Sequence, residues 1–222
     1  MSHEHDHARR RALLAMLAAG GGLAGALRRA IAQPQAQGMR QVRGEVTVNG
    51  RAVKVGDPVR PGDTVATGAR SFAAFAVDRD AFLVRDSSRV EIAGANAVAD
   101  VLRLVTGKLL GVFGAGRGRS IVTPSATIGI RGTGAYLEAE AARTYFCLCY
   151  GTADVATADG KVKDSYTTTH HESPRYLYGD GRKEAMTAAR VVNHTDAELI
   201  MLEALVGRQP PREVMDSKWP RY

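Results

Sequence analysis

SIVTPSATIGIRGTGAYLEAEAARTYFCLCYG, residues 120–151, is a succession of short strand-like runs joined by turn residues. Ser120 to Thr123 stops at Pro124, and Ala126 to Ile130 stops at an expected corner, Arg131-Gly132-Thr133-Gly134. Ala135 to Glu140 and Thr144 to Tyr150 are separated only by Ala141-Ala142-Arg143. β-branched and aromatic residues in runs this short, bounded by Gly and Pro, favour strands over helices. Both cysteines of the chain lie in the last run.

The same pattern extends in both directions. Val42 to Val48 alternates at period two and meets Asn49-Gly50, a strong hairpin signal. Ala52 to Val55 returns, and the corners at Gly56-Asp57-Pro58 and Pro61-Gly62-Asp63 keep the next strands short. Ser71 to Val77 and Ala81 to Arg85 read as a pair, with Arg89 to Ile92 after them. Val101 to Val105 and Lys108 to Phe113 read as a hairpin around Thr106-Gly107. Gly114 to Arg119 lacks the strand-to-helix setting and the Lys-Ser/Thr of a phosphate-binding loop, so it reads as a connection. Beyond residue 157, Lys161 to Thr169 and Arg175 to Tyr178 extend the sheet. One helix stands out at 195–206. Thr195 and Glu198 form a capping box, Leu199, Leu202, Leu205 and Val206 form an apolar stripe, and Gly207 stops it. The fold class expected is all-β, a twisted sandwich or roll of many short strands with one C-terminal helix packed on it.

The bulk numbers agree with one globular domain plus an appendage: 222 residues, 45% hydrophobic and 24% charged. Of the net charge of +7, residues 1–32 contribute +3 through five Arg against two acids. The remainder mixes both signs without a basic run, which argues against a nucleic-acid partner. Residues 1–32 read as an export signal: Arg9-Arg10-Arg11, an uncharged stretch from Ala12 to Leu27, then Ala30-Ile31-Ala32 as a cleavage pattern. The 16-residue apolar stretch is shorter than the ~20 residues that span a bilayer. Arg10-Arg11-Ala12-Leu13-Leu14 resembles a twin-arginine export motif, with Arg9 where Ser or Thr is usual. The expected location is therefore the periplasm, with membrane tethering as the alternative if the signal stays uncut. Residues 33–41 read as a polar linker.

The Gly56-Asp57 corner, Gly62-Asp63-Thr64-Val65-x-Thr67-Gly68, the pair around Gly107 and Thr123-Pro124-x-Ala126-x-Ile128-x-Ile130-Arg131-Gly132-Thr133 together resemble the FecR domain, named for the periplasmic iron-dicitrate sensor. The resemblance covers about residues 42–157, with 158–222 as a β extension, helix and tail. It implies a periplasmic, non-catalytic β-rich module for sensing or protein contact, its partner an envelope protein or a small ligand. Signalling members of that family carry a cytoplasmic anti-sigma region before a membrane helix. Only eight residues precede Arg9 here, so sigma regulation is not carried over. The matched positions are corners and core, which speak for fold and not for a site.

The chemistry on offer is Cys147 and Cys149. Two apart on a strand, they share a face with Tyr145, while Phe146, Leu148 and Tyr150 are expected on the other. Thiolates suit zinc, copper(I) or an iron–sulfur centre. His170, His171 and His194 are the histidines left once residues 1–32 are set aside, and one of the adjacent pair plus His194 would complete a Cys2His2 set. A Cys147–Cys149 disulfide is the competing outcome, though Cα atoms about 6.6 Å apart sit near the limit for that bond. Inert buried thiols are the third. Catalysis is not expected: Ser120, Ser125 and Ser165 lack a Gly-x-Ser-x-Gly elbow, and Glu138 with Glu140 reads as an exposed polar face.

Overall fold

Asn49 and Gly50 both adopt left-handed backbone, φ 51° and 77°, as a two-residue hairpin turn requires. That local geometry opens a computed structural model that describes residues 37–95, 98–116 and 118–216. The expected export signal at 1–32, residues 33–36 of the expected linker and the final residues from 217 onward lie outside the described residues. The strands are β1 (Gly38–Arg43), β2 (Val46–Val48), β3 (Arg51–Ala52), β4 (Thr64–Thr67), β5 (Phe72–Val77), β6 (Asp80–Val84) and β7 (Arg89–Ala95). They continue as β8 (Val98–Val112), β9 (Arg119–Val122), β10 (Ala126–Ala139), β11 (Thr144–Thr157), β12 (Lys163–Thr168), β13 (Arg175–Leu177) and β14 (Met186–Ala188). Among the described residues two helices follow, α1 (Asp196–Leu205) and the single turn α2 (Arg212–Met215). The protein is all-β, as the sequence implies.

Three expectations about strand boundaries are corrected. The polar linker ends earlier than residue 41, because β1 begins at Gly38. The expected hairpin around Thr106-Gly107 is one continuous strand, β8. A two-residue reversal needs left-handed backbone at both central residues or at the first; here Gly107 alone has it, at φ 89°. The strand kinks there against Ser88, whose Oγ accepts the Lys108 amide at 2.8 Å. The Arg131–Gly134 corner is likewise no turn. β10 runs straight through it as a bulge, with the register against β11 shifting at Arg131/Gly134 and again at Gly134/Ala135.

The long strands β8, β10 and β11 change partners halfway along. The first half of β8 pairs with β7 and, in parallel, with β9; its second half pairs with β6 and β10. β10 pairs first with β9 and then with β8, while β11 lies beside it throughout. One hydrogen-bonded network thus has two halves, and a single core lies between them. Val65, Val90, Leu104, Ile121 and Ile128 from one half join Phe75, Phe82, Leu109, Leu137, Phe146 and Leu148 from the other. Residues past 157 extend the network, with β12 and β13 both pairing with β11.

A second apolar cluster lies on the opposite face of β5, β6, β8, β10 and β11, where α1 covers it with Leu199, Leu202 and Val206. Thr195 caps α1 as expected: its side chain accepts the Glu198 amide, and Glu198 accepts the Thr195 amide at 2.9 Å. The helix does not rest on apolar contact alone. Buried Glu203 accepts the Tyr150 hydroxyl at 2.5 Å and pairs with Arg208 at 2.6 Å.

Candidate metal centre

Alternation along β11 sends Phe146 and Leu148 into the central core and Tyr145, Cys147 and Cys149 to the helix-covered face. Tyr150 departs from the expected alternation and joins the cysteines. The bulge is the cause. Gly134 faces Tyr150 and Ala135 faces Leu148, so Cys149 is the extra residue between them. A bulge places two successive side chains on one side and re-aims both. Cys147 and Cys149 are both free thiols and both fully buried.

After β12 the chain turns back over these thiols. The His171 amide donates to the Cys149 carbonyl at 3.0 Å, and His171 sits at φ 53°. β12 ends at Thr168, so strand alternation no longer applies, and both members of the His170-His171 pair reach Asp196. His171 Nδ1 lies 3.4 Å from Cys147 Sγ. His194 arrives from the other side, just ahead of the cap of α1, after Asn193 at φ 57°. Its ring stacks on Tyr136 with centroids 4.5 Å apart, and its Nε2 lies 3.1 Å from His171 Nδ1. The ligand atoms of Cys147, Cys149, His171 and His194 all fall within 4.8 Å of one another. Around one tetrahedral ion held at 2.0–2.3 Å, such atoms are spaced by about 3.3–3.8 Å.

The surroundings fix which nitrogen of each ring faces inward. His194 Nδ1 is 2.6 Å from the Val192 carbonyl, an acceptor only, so that nitrogen donates to it and Nε2 is the nitrogen turned inward. His171 Nε2 is 3.0 Å from the Asp196 carboxylate and donates to it, which leaves His171 Nδ1 as the inward-facing nitrogen. Two inward nitrogens and two sulfurs therefore share one small volume, which needs a cation or a shared proton at its centre. The thiols respond to the same crowding. Cys147 is pushed well below the usual thiol range by the hydrogen bond from Cys149 and then by His171 and His194. Cys149 is pushed well above it by burial and by the neighbouring Cys147. Burial works against a proton on His171, yet Cys147 and Asp196 outweigh it and raise its pKa.

All the histidines singled out in the sequence meet here, in two roles. His171 and His194 reach the sulfurs; His170 instead places Nε2 3.0 Å from Asp196. Asp196 thus takes hydrogen bonds from both members of the pair, and it is the residue that sequence reasoning missed. Its one signal was a carboxylate in the first turn of α1, which also has an ordinary role beside the helix dipole. The other candidates do not gather. Ser125 Oγ is 2.7 Å from Thr144 Oγ1, and Ser165 donates to Asp154 at 2.9 Å. Glu138 accepts from Tyr136 and Asn193, while Glu140 pairs with Arg143, so the two carboxylates form no pair.

No protein-family profile matches the chain, and neither does any curated protein. Solved structures offer a partial likeness. Two crystal structures, each of a candidate anti-sigma factor from Parabacteroides distasonis ATCC 8503, are similar to it. The one at 1.65 Å has 8% identity, covers 57% of this chain and 59% of that one, and gives a TM-score of 0.47. The one at 2.50 Å has 9% identity, covers 62% and 71% respectively, and gives 0.48. The chain therefore spans less than two thirds of the first.

Proposed function

We propose that this chain is an exported, non-catalytic β module of the FecR type that holds one transition-metal ion in a Cys2His2 centre and serves in sensing or protein contact at the cell envelope. The observation that carries the metal reading is the convergence of Cys147 Sγ, Cys149 Sγ, His171 Nδ1 and His194 Nε2. Both nitrogens are turned inward by partners outside the set. Zinc is the ion this donor set suits best, since it accepts two thiolates and two imidazoles tetrahedrally and carries no redox chemistry. Four protein ligands leave no position for substrate, which supports a binding or structural role over a catalytic one. Asp196 behind His171 is the carboxylate that commonly orients a metal-bound imidazole and strengthens it as a ligand. A cluster with bridging sulfides needs its ligand atoms spread wider than 4.8 Å, which favours a single ion over an iron–sulfur centre. The periplasmic location rests on residues 1–32 and the FecR reading on the motifs between 56 and 133.

Elemental analysis of protein exported in its native host, with the mature N-terminus read by mass spectrometry, tests the whole reading. One metal per chain, lost in Cys147→Ser, and a chain beginning at Gln33 are expected. Absence of metal, together with a mass two hydrogens light, would replace the centre with a Cys147–Cys149 disulfide.

A further inference from the structure

The four ligands come from three separate pieces of chain. Cys147 and Cys149 belong to β11, His171 to the segment after β12, and His194 to the irregular stretch between β14 and α1. Apart from ligation through His194, a few contacts hold that last stretch. The Ala189 amide donates to the Pro174 carbonyl at 2.9 Å, Ala189 and Val192 pack half-buried on the apolar cluster, and the His194 ring stacks on Tyr136. Tyr145 donates to the Arg190 carbonyl at 2.9 Å and Asn193 to Glu138 at 2.7 Å, but Arg190 and Asn193 are at the surface. Asp196, the first residue of α1, repeats the connection by accepting from His170 and His171. Farther along, α1 relies on Arg85–Glu198 at 2.7 Å, on Leu199, Leu202 and Val206, and on the Glu203 pair at its far end.

A ten-residue helix is marginal by itself in water and depends on what fixes its apolar face. What lies beneath α1 is also apolar: Ala74, Ala76, Leu83, Leu110 and Val112. From these observations, and resting on the metal reading above, we infer that the Cys2His2 centre is a latch whose occupancy decides whether residues 189–206 stay docked on this face. With metal bound, His194 is tied to β11 at the helix entrance. Without it, residues 189–206 separate from the sheet and the apolar face opens to solvent, while the central core, which contributes no ligand, stays folded. Metal occupancy is thereby converted into the exposure of a surface, as a sensing module requires.

Hydrogen exchange read by mass spectrometry on the full chain, with zinc and after chelation, tests the latch. On metal removal, amides of 189–206 are expected to exchange at least about tenfold faster. Amides of β7, β8 and β10 should keep their protection, and zinc should restore the helix. His194→Ala should exchange like the metal-free protein whether or not zinc is added. If zinc binds at one per chain and 189–206 exchanges equally with and without it, the latch is wrong and the metal centre stands. Simultaneous loss of protection across the whole sheet would also overturn the latch, since the metal would then support the entire fold. If the same samples bind no zinc, both readings fall.

Discussion

Asp80 and Arg119 form an ion pair in the interior, where the chain passes from β8 to β9. Asp80 is 1% exposed, and its other oxygen accepts the Gly114 amide at 2.9 Å. Two effects oppose each other at this carboxylate. Burial disfavours its charged form, while the Gly114 amide and the Arg119 guanidinium favour it; burial is the larger, and the pKa rises from 3.8 to about 6. A folded-state pKa above the unfolded one means that the folded protein binds the proton more tightly. The stability it contributes is fully present below pH 3.8 and is lost as pH rises through about 6. That interval of about two pKa units corresponds to about 3 kcal/mol. Asp80→Asn removes the titration and leaves every other group in place. Urea unfolding of both proteins, at intervals from pH 4 to pH 8, isolates the effect as a difference in which other titrations cancel. The stability of the native chain relative to Asp80→Asn should fall by about 2 kcal/mol between pH 4 and pH 7, the part of that interval the assay spans, and then level off. A difference that rises with pH would refute the reasoning, because it would mean that Arg119 outweighs the loss of hydration. A flat difference would refute it equally.

Zinc at one hundred times its dissociation constant should stabilise the native chain by about 2.7 kcal/mol. For a chain of this size that raises Tm by about 5–11 °C, and thermal melts of His194→Ala should lack the shift. Gly107→Ala should cost at least about 1–3 kcal/mol in chemical denaturation, because φ is 89° and an added Cβ would meet Ser88 at 2.1–2.5 Å. Gly50→Ala, where the backbone is left-handed but the space is open, is the matched control, and an equal cost at both positions would contradict the kink against Ser88. Thr195→Ala removes the capping box and should lower stability by about 0.5–2 kcal/mol; its hydrogen exchange should quicken in α1 before the sheet, and a change confined to the sheet would count against this docking of the helix.

Local chemistry sufficed for the fold class and for the points where backbone geometry is decided within a few residues. Asn49-Gly50 closes a hairpin because both residues tolerate left-handed backbone, and Thr195 with Glu198 caps a helix because the partners are three apart. The same local reading mistook Gly107 and the Arg131–Gly134 segment for reversals. A glycine permits left-handed backbone, but the neighbouring strands decide whether the chain turns or merely kinks; β6, β7 and β10 hold β8 as one strand. The residues of the candidate centre could be named from the sequence, since cysteines two apart and a few late histidines are the available soft ligands. Their assembly could not. It depends on the bulge that re-aims Cys149 and Tyr150, on β12 ending at Thr168 just ahead of the His170-His171 pair, and on the entrance of α1 bringing His194 and Asp196 from far along the chain. The Asp80–Arg119 pair was equally invisible, because burial of two opposite charges 39 positions apart follows from how the halves of the sheet close over each other. Periodicity and turn chemistry are short-range and survive in the sequence; ligand geometry, burial and hydration are set by neighbours that only the tertiary fold supplies.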